Sequence, residues 1–189
     1  MIRSFIAIPL PPGVLDDLES AVRSLEELGL SGRGVSRSSM HLTLKFLGDV
    51  SEDRLSTGAA TLRRLAKGMP PFDVSLNGPD GFPHRKGARV VFVSVQRSPA
   101  LIRLQGTLED ALTALGLERE GREYRGHLTL MRLKSRRNLS RLQDWFTREL
   151  QVTGMSFRVN HFNLYQSALK ASGVVNSILE SFPLGDSTQ

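Results

Sequence analysis

The sequence predicts an α+β fold built as a bilobal, pseudo-two-fold duplication, each half running strand, helix, strand, helix, strand. Three observations carry this. The tetrapeptide His-Leu-Thr-Leu occurs twice, at 41–44 and 127–130, using two of the four histidines in the 189-residue chain. The elements around the two copies follow the same order. A shift of 86 or 87 residues also maps Phe5 onto Val91 or Phe92, Gly29 onto Gly116 and Ser51 onto Asn138.

Phe5 to Ile8 is a short apolar strand, and the Pro11-Pro12-Gly13 turn opens a helix whose stripe is Val14, Leu18, Val22, Leu25 and Leu28, stopped by Gly29. After a Gly/Ser-rich connection, Met40 to Leu47 is the first motif strand, closed by Gly48. Ser51 with Glu52 and Asp53 marks a helix start, and Leu55, Ala59, Leu62 and Leu65 carry its stripe to Gly68. Phe72, Val74 and Leu76 alternate as a strand.

The second half retraces this order. Arg89 to Val95 is a strand, and Pro99 opens a helix with Leu101, Leu104, Leu108, Ala111 and Leu115 on one side, stopped by Gly116. Tyr124 to Leu133 is the second motif strand. Asn138 caps a helix carrying Leu139, Leu142, Phe146 and Leu150, and Met155, Phe157 and Val159 then alternate. Phe162, Leu164 and Leu169, followed by Val174, Ile178 and Leu179, complete a sheet, and Gly185 to Gln189 reads as a frayed tail. The chain is therefore expected to be one two-lobed domain over 1–189, with a repeat at roughly 1–80 and 87–160 and C-terminal strands at 161–183.

With 40% hydrophobic residues the chain can bury a proper core, and no run approaches the roughly 18 apolar residues of a membrane span. The N-terminus has no signal-peptide core of useful length, so a cytoplasmic protein without a membrane partner is expected. The absence of cysteine excludes disulfides, thiolate metal sites and a Cys nucleophile. A net charge of +6 and a pI near 10.3 favour an anionic partner such as RNA. Two basic segments are placed to meet one: Phe82 to Arg89, a loop entering a strand, and Lys134-Ser135-Arg136-Arg137 behind the second motif. The alternative for each is a solvated surface turn, and for Lys134 to Arg137 the two readings stand level.

A strand alternates its side chains, so the His and Thr of each copy share one face and the two Leu residues anchor the other. Two such units around one cleft supply a general acid, a general base and two hydroxyl donors, which suits displacement at phosphorus. Thr43 and Thr129 are placed to donate to non-bridging oxygens. Lys45 falls on the His41 face by alternation or else points into solvent, Phe46 is expected in the core ahead of a stacking role, and Arg89 and Tyr165 are further candidates for substrate contact. His84 reads as a surface residue and His161 as structural or exposed.

These residues resemble the two-histidine phosphoesterase superfamily, and most closely its RNA 2′,3′-cyclic phosphodiesterases of the 2′-5′ RNA ligase family. Beyond the two motifs, the likeness includes Arg3-Ser4-Phe5-Ile6-Ala7-Ile8-Pro9-Leu10, the long form His41 to Gly48, the Gly81-Phe82-Pro83 turn and the extension of the second copy to Arg132. The resemblance implies antiparallel sheets facing a central groove with helices on the outside, and a reaction that needs no metal or other cofactor. It implies metal-independent hydrolysis of RNA 2′,3′-cyclic phosphate ends, with His41 as proton donor, His127 as proton acceptor, Arg132 as phosphate ligand and a 2′-phosphate product. It also implies possible substrates among small cyclic nucleotides and reversible 2′-5′ ligation. Strict alternation puts Arg132 on the wrong face, so that role requires a bulge near Met131. The chain departs from the family in having Gly126 where Pro is common, Gly34 where Trp is common and Gln166 after Tyr165. Two alternatives stand beside this reading: a phosphodiesterase for another cyclic or 2′-5′ linked nucleotide, and a noncatalytic RNA-binding module. A monomer is the simplest assembly, because the pseudo-symmetry completes the site.

Overall fold

The structure, a computed structural model, describes residues 1–135, 138–147, 150, 152–171 and 173–185. Along the chain run β1 (Ile2–Ile8), α1 (Pro12–Glu26), β2 (Gly32–Gly34), β3 (Leu42–Val50), α2 (Glu52–Lys67), β4 (Phe72–Phe82), β5 (Val90–Val95), α3 (Pro99–Thr113), β6 (His127–Leu133), α4 (Leu139–Phe146), β7 (Ser156–Val159), β8 (His161–Lys170) and β9 (Gly173–Pro183). The strands form two antiparallel sheets, ordered β3-β1-β8-β9 and β2-β6-β5-β4-β7.

The pairing does not follow the halves of the sequence. β4, which closes the first half, lies beside β5 in the second sheet, and β8 takes the matching place beside β1. β2 also crosses over, pairing with β6. The first sheet therefore joins β1 and β3 to the C-terminal strands β8 and β9, while the second joins β2 and β4 of the first half to β5, β6 and β7 of the second. The alternation of Phe72, Val74 and Leu76 identifies a half-buried strand but carries no signal for the neighbour it will take.

The helices bury the stripes that the 3.6-residue period picks out: Val14, Leu18, Val22 and Leu25 on α1, Leu55, Ala59 and Leu62 on α2, and Leu101, Leu104 and Leu108 on α3. These join Ile6, Ile8, Leu42, Leu44, Val91, Val93, Leu128 and Leu130 in one core between helices and sheets. Burying each such side chain contributes about 1.5–3 kcal/mol. All four motif leucines are in that core, so the motif histidines and threonines are left on the opposite faces of their sheets.

Several boundaries differ from the sequence expectation. Gly48 does not close the first motif strand: it sits at φ +71 beside a bulge at Leu47, and β3 continues to Val50. The second motif strand begins at His127, because Tyr124 to Gly126 leave the sheet. Asn138 precedes α4 in the left-handed region, with its side chain donating to Gly29 O at 3.0 Å, and α4 ends at Phe146, short of Leu150. At Gly34, a Cβ would lie 2.5 Å from Glu26 Oε1 and 2.6 Å from Val22 Cγ1, so a larger residue here requires those α1 side chains to move aside. Arg136, Arg137 and residues 186–189 of the expected tail lie outside the described residues. Among the described residues, no helix is long and apolar enough to cross a membrane.

Candidate active site

Both motif strands carry the same irregularity. Against β1, Ala7 pairs with Thr43 and Ile6 with Lys45, leaving Leu44 as an extra residue. Against β5, Phe92 pairs with Thr129 and Val91 with Met131, leaving Leu130 as the extra residue. A one-residue bulge reverses the facing of everything beyond it. Lys45 and Met131 consequently turn into the interior, at 5% and 2% exposed, while Phe46 and Arg132 emerge on the histidine side.

This corrects two expectations. Lys45 reaches neither the His41 face nor solvent: its Nζ donates to Glu109 Oε1 at 2.5 Å and to Glu118 O at 2.7 Å, so its ammonium is already engaged. Phe46 is not a core residue. It is 67% exposed, with its ring centroid 6.1 Å from that of Phe5. Arg132, by contrast, has the bulge that its place on the histidine side requires.

Each histidine lies against a pair of mutually stacked aromatic rings. His41, one residue ahead of β3, stacks on Phe5 at 4.7 Å between centroids and lies 5.8 Å from Tyr165. Tyr165 is buried and stacks on Phe5, and its Oη accepts from Asn163 Nδ2, so it backs the ring on which His41 rests. His127 meets Phe82 and Phe92 edge-on at 5.1 and 5.4 Å. Its Nδ1 lies 2.8 Å from Arg125 O. A carbonyl only accepts, so Nδ1 carries a proton and Nε2 is the free nitrogen of the neutral ring.

The charges form one system. Burial, then the Arg132 guanidinium, then His127 hold His41 at about 4, well below an ordinary imidazole. Burial also lowers His127, with Arg132 adding to the effect and the bond to Arg125 O opposing it. Arg132 thus acts on both rings, and Cα atoms of β3 and β6 come within 8 Å of each other. Thr43 and Thr129 are half-buried in their strands.

Thr43, Phe46, Arg89 and His127 line a cavity of about 1020 Å³. A second cavity of about 540 Å³ shares Phe82, Pro83 and Arg125 with it and extends past His84. Lys134 and Ser135 are exposed. Among the described residues, no group of three or more His, Cys, Asp or Glu could hold a metal ion.

Four further residues that the sequence does not single out shape the site. The Tyr124 hydroxyl donates to Thr43 O at 2.9 Å, tying the chain ahead of the second motif to the first motif strand, and burial pushes it above the ordinary phenol range. Phe5 and Phe92 back the two histidines, a pairing that the 87-residue correspondence could have suggested. The carbonyl of Arg125 has no sequence signature, since every residue carries that acceptor.

A profile described as the 2′-5′ RNA ligase superfamily matches residues 14–171. The RNA 2′,3′-cyclic phosphodiesterase of Methanothermobacter thermautotrophicus is 31% identical over 97% of this chain and 99% of its own length. That of Thermotoga maritima is 28% identical over 94% and 92%. Among solved structures, TT0787 of Thermus thermophilus superposes with a TM-score of 0.82 at 27% identity, covering 99% of this chain and 100% of its own. E. coli LigT complexed with 3′-AMP superposes with a TM-score of 0.75 at 25% identity, over 97% and 98%.

Proposed function

The chain belongs to the 2′-5′ RNA ligase superfamily, and from that premise we propose that it hydrolyses RNA 2′,3′-cyclic phosphate ends to 2′-phosphates by acid–base catalysis between His41 and His127, without a metal. The observation that carries this reading is the matched pair of bulged strands, each delivering an imidazole and a hydroxyl, with Arg132 electrostatically coupled to both rings.

A cyclic phosphate needs an attacking water, a proton for the departing oxygen and support for charge on the non-bridging oxygens. The free Nε2 of His127 takes a proton from water as the new oxygen–phosphorus bond forms. The bond to O3′ breaks and His41 gives that oxygen its proton. Thr43 and Thr129 hydroxyls donate to the non-bridging oxygens, and Arg132 supplies positive charge as negative charge builds there. The cycle leaves His127 protonated and His41 neutral, and exchange with solvent resets both. His41 must be protonated before reaction, and the anionic substrate assists because its charge opposes the effect of Arg132. A 5′-hydroxyl in place of water would leave a 2′-5′ linkage, though dilute ends in water favour hydrolysis.

Incubating nucleoside 2′,3′-cyclic phosphates with the protein in excess EDTA tests this directly. Release of nucleoside 2′-phosphate is expected. A 3′-phosphate product would reverse the leaving group, and no turnover of any cyclic phosphate, beside cleavage of a 2′-5′ linked oligonucleotide, would replace the substrate.

A further inference from the structure

The connection 117–126 between α3 and β6 is fastened to the first motif strand at two points and to its own helix α3 at a third. Lys45 Nζ donates to Glu118 O, Glu109 Oε1 accepts from both Lys45 and the Glu120 amide, and Tyr124 Oη donates to Thr43 O. Packing alone does not call for Lys45, since Met131 fills the corresponding place beyond the other bulge with an uncharged chain. A buried ammonium is costly unless its hydrogen bonds are met, and here they fix where the connection runs.

Arg122, between the last two anchors, and Arg125, just past the last, stand exposed along the cavity shared by Thr43, Phe46 and His127, and Arg89 borders it just ahead of β5. Among the described residues, none of these three has a carboxylate partner, whereas the nearby Arg97 and Arg119 are paired with Glu123 and Asp110. The carboxylates of Glu118 and Glu120 also border the cavity, and Glu120 Oε1 accepts from the Arg122 amide at 3.3 Å. Sites for small ligands span about 300–1,000 Å³. At about 1020 Å³ the cavity lies at the upper end of that range.

We propose that this pinned connection forms a subsite for the phosphodiester one nucleotide upstream of the cyclic phosphate, with Arg122 and Arg125, joined by Arg89, taking up its charge. The subsite rests on the function assigned above and adds a preference for RNA ends over mononucleotides. It sits on the second lobe's connection but is positioned by the first lobe's Lys45.

The test compares a nucleoside 2′,3′-cyclic phosphate, which has no upstream phosphodiester, with a dinucleotide ending in the same cyclic phosphate. Wild type is expected to prefer the dinucleotide through a lower KM that rises with salt. In the Arg122→Ala/Arg125→Ala double variant the ratio of the two kcat/KM values should fall at least about fivefold, with the salt dependence of the dinucleotide KM reduced. Because both substrates report on the same preparation, a loss of folded enzyme cancels in the ratio. No dinucleotide preference in wild type, or an unchanged ratio in the variant, overturns the subsite and leaves the proposed reaction standing. Turnover of neither substrate by wild type overturns both.

Discussion

His41 and His127 occupy identical tetrapeptides on equally bulged strands, yet they are held in different ways. His127 is tied through Nδ1 to a backbone carbonyl, which fixes its free nitrogen as an acceptor when neutral. His41 rests against Phe5 and near Tyr165, and its ordinary basicity is cut further, to about 4. Past the bulges the contrast sharpens: one strand offers a phenyl ring from Phe46 and buries a lysine, while the other offers a guanidinium from Arg132 and buries a methionine. The same backbone device thus presents an apolar wall on one side and a charged wall on the other. A nucleotide has both kinds of surface, a base and a phosphate.

The largest effects should come from the histidines themselves. His41→Ala and His127→Ala are each expected to slow turnover by roughly 10²–10⁴-fold, measured as kcat on a cyclic mononucleotide with folding checked by circular dichroism. Wild-type turnover in either variant would remove that histidine from the reaction.

The buried residues past the bulges come next. Lys45→Met makes the first strand resemble the second but strands the Glu109 carboxylate, at an expected cost of about 3–5 kcal/mol in denaturant unfolding. Lys45→Met combined with Glu109→Leu should recover most of that loss, since neither charge is then buried alone. If the double variant is no more stable than the single one, the pair is not what sets the cost.

The exposed residues at the bulges should separate cleanly. Arg132→Gln removes a charge that disfavours both imidazolium forms, so both histidines should titrate higher. In wild type both lie below the ordinary 6.5, with His41 at about 4, so kcat/KM should peak below pH 6.5. In Arg132→Gln the peak should move to higher pH while kcat falls, and a peak that stays put would uncouple Arg132 from the histidines. Phe46→Ala should act on binding instead, raising KM about tenfold if a base stacks on the ring, with kcat within about twofold. Equal losses in kcat from Phe46→Ala and Arg132→Gln would erase the division between the two walls.

Much of the site was legible because a strand's period of two is simple. It put His41 with Thr43 and His127 with Thr129, and it sent four leucines to the core. It failed where the period breaks. Lys45 and Phe46 exchange faces at a bulge that an apolar run does not announce, since Leu-Thr-Leu reads the same with or without an extra residue in the ladder. At Arg132 alternation alone turns the side chain away, so the sequence shows the need for a bulge but not the bulge itself. The exchange of β4 and β8 between sheets was likewise hidden, as strand pairing depends on distant partners. The sequence pattern puts Tyr124 at the start of a strand, whereas its bond to Thr43 O depends on the chain leaving the sheet.

The central claim is that the two like motifs do unlike jobs, with His41 protonating the leaving oxygen and His127 activating water. A phosphodiester whose leaving group is p-nitrophenolate needs no proton on departure, so its hydrolysis by the two alanine variants isolates these roles. Turnover of this ester should be largely restored in His41→Ala and remain depressed in His127→Ala; restoration in His127→Ala instead, or equal loss in both, would contradict the account.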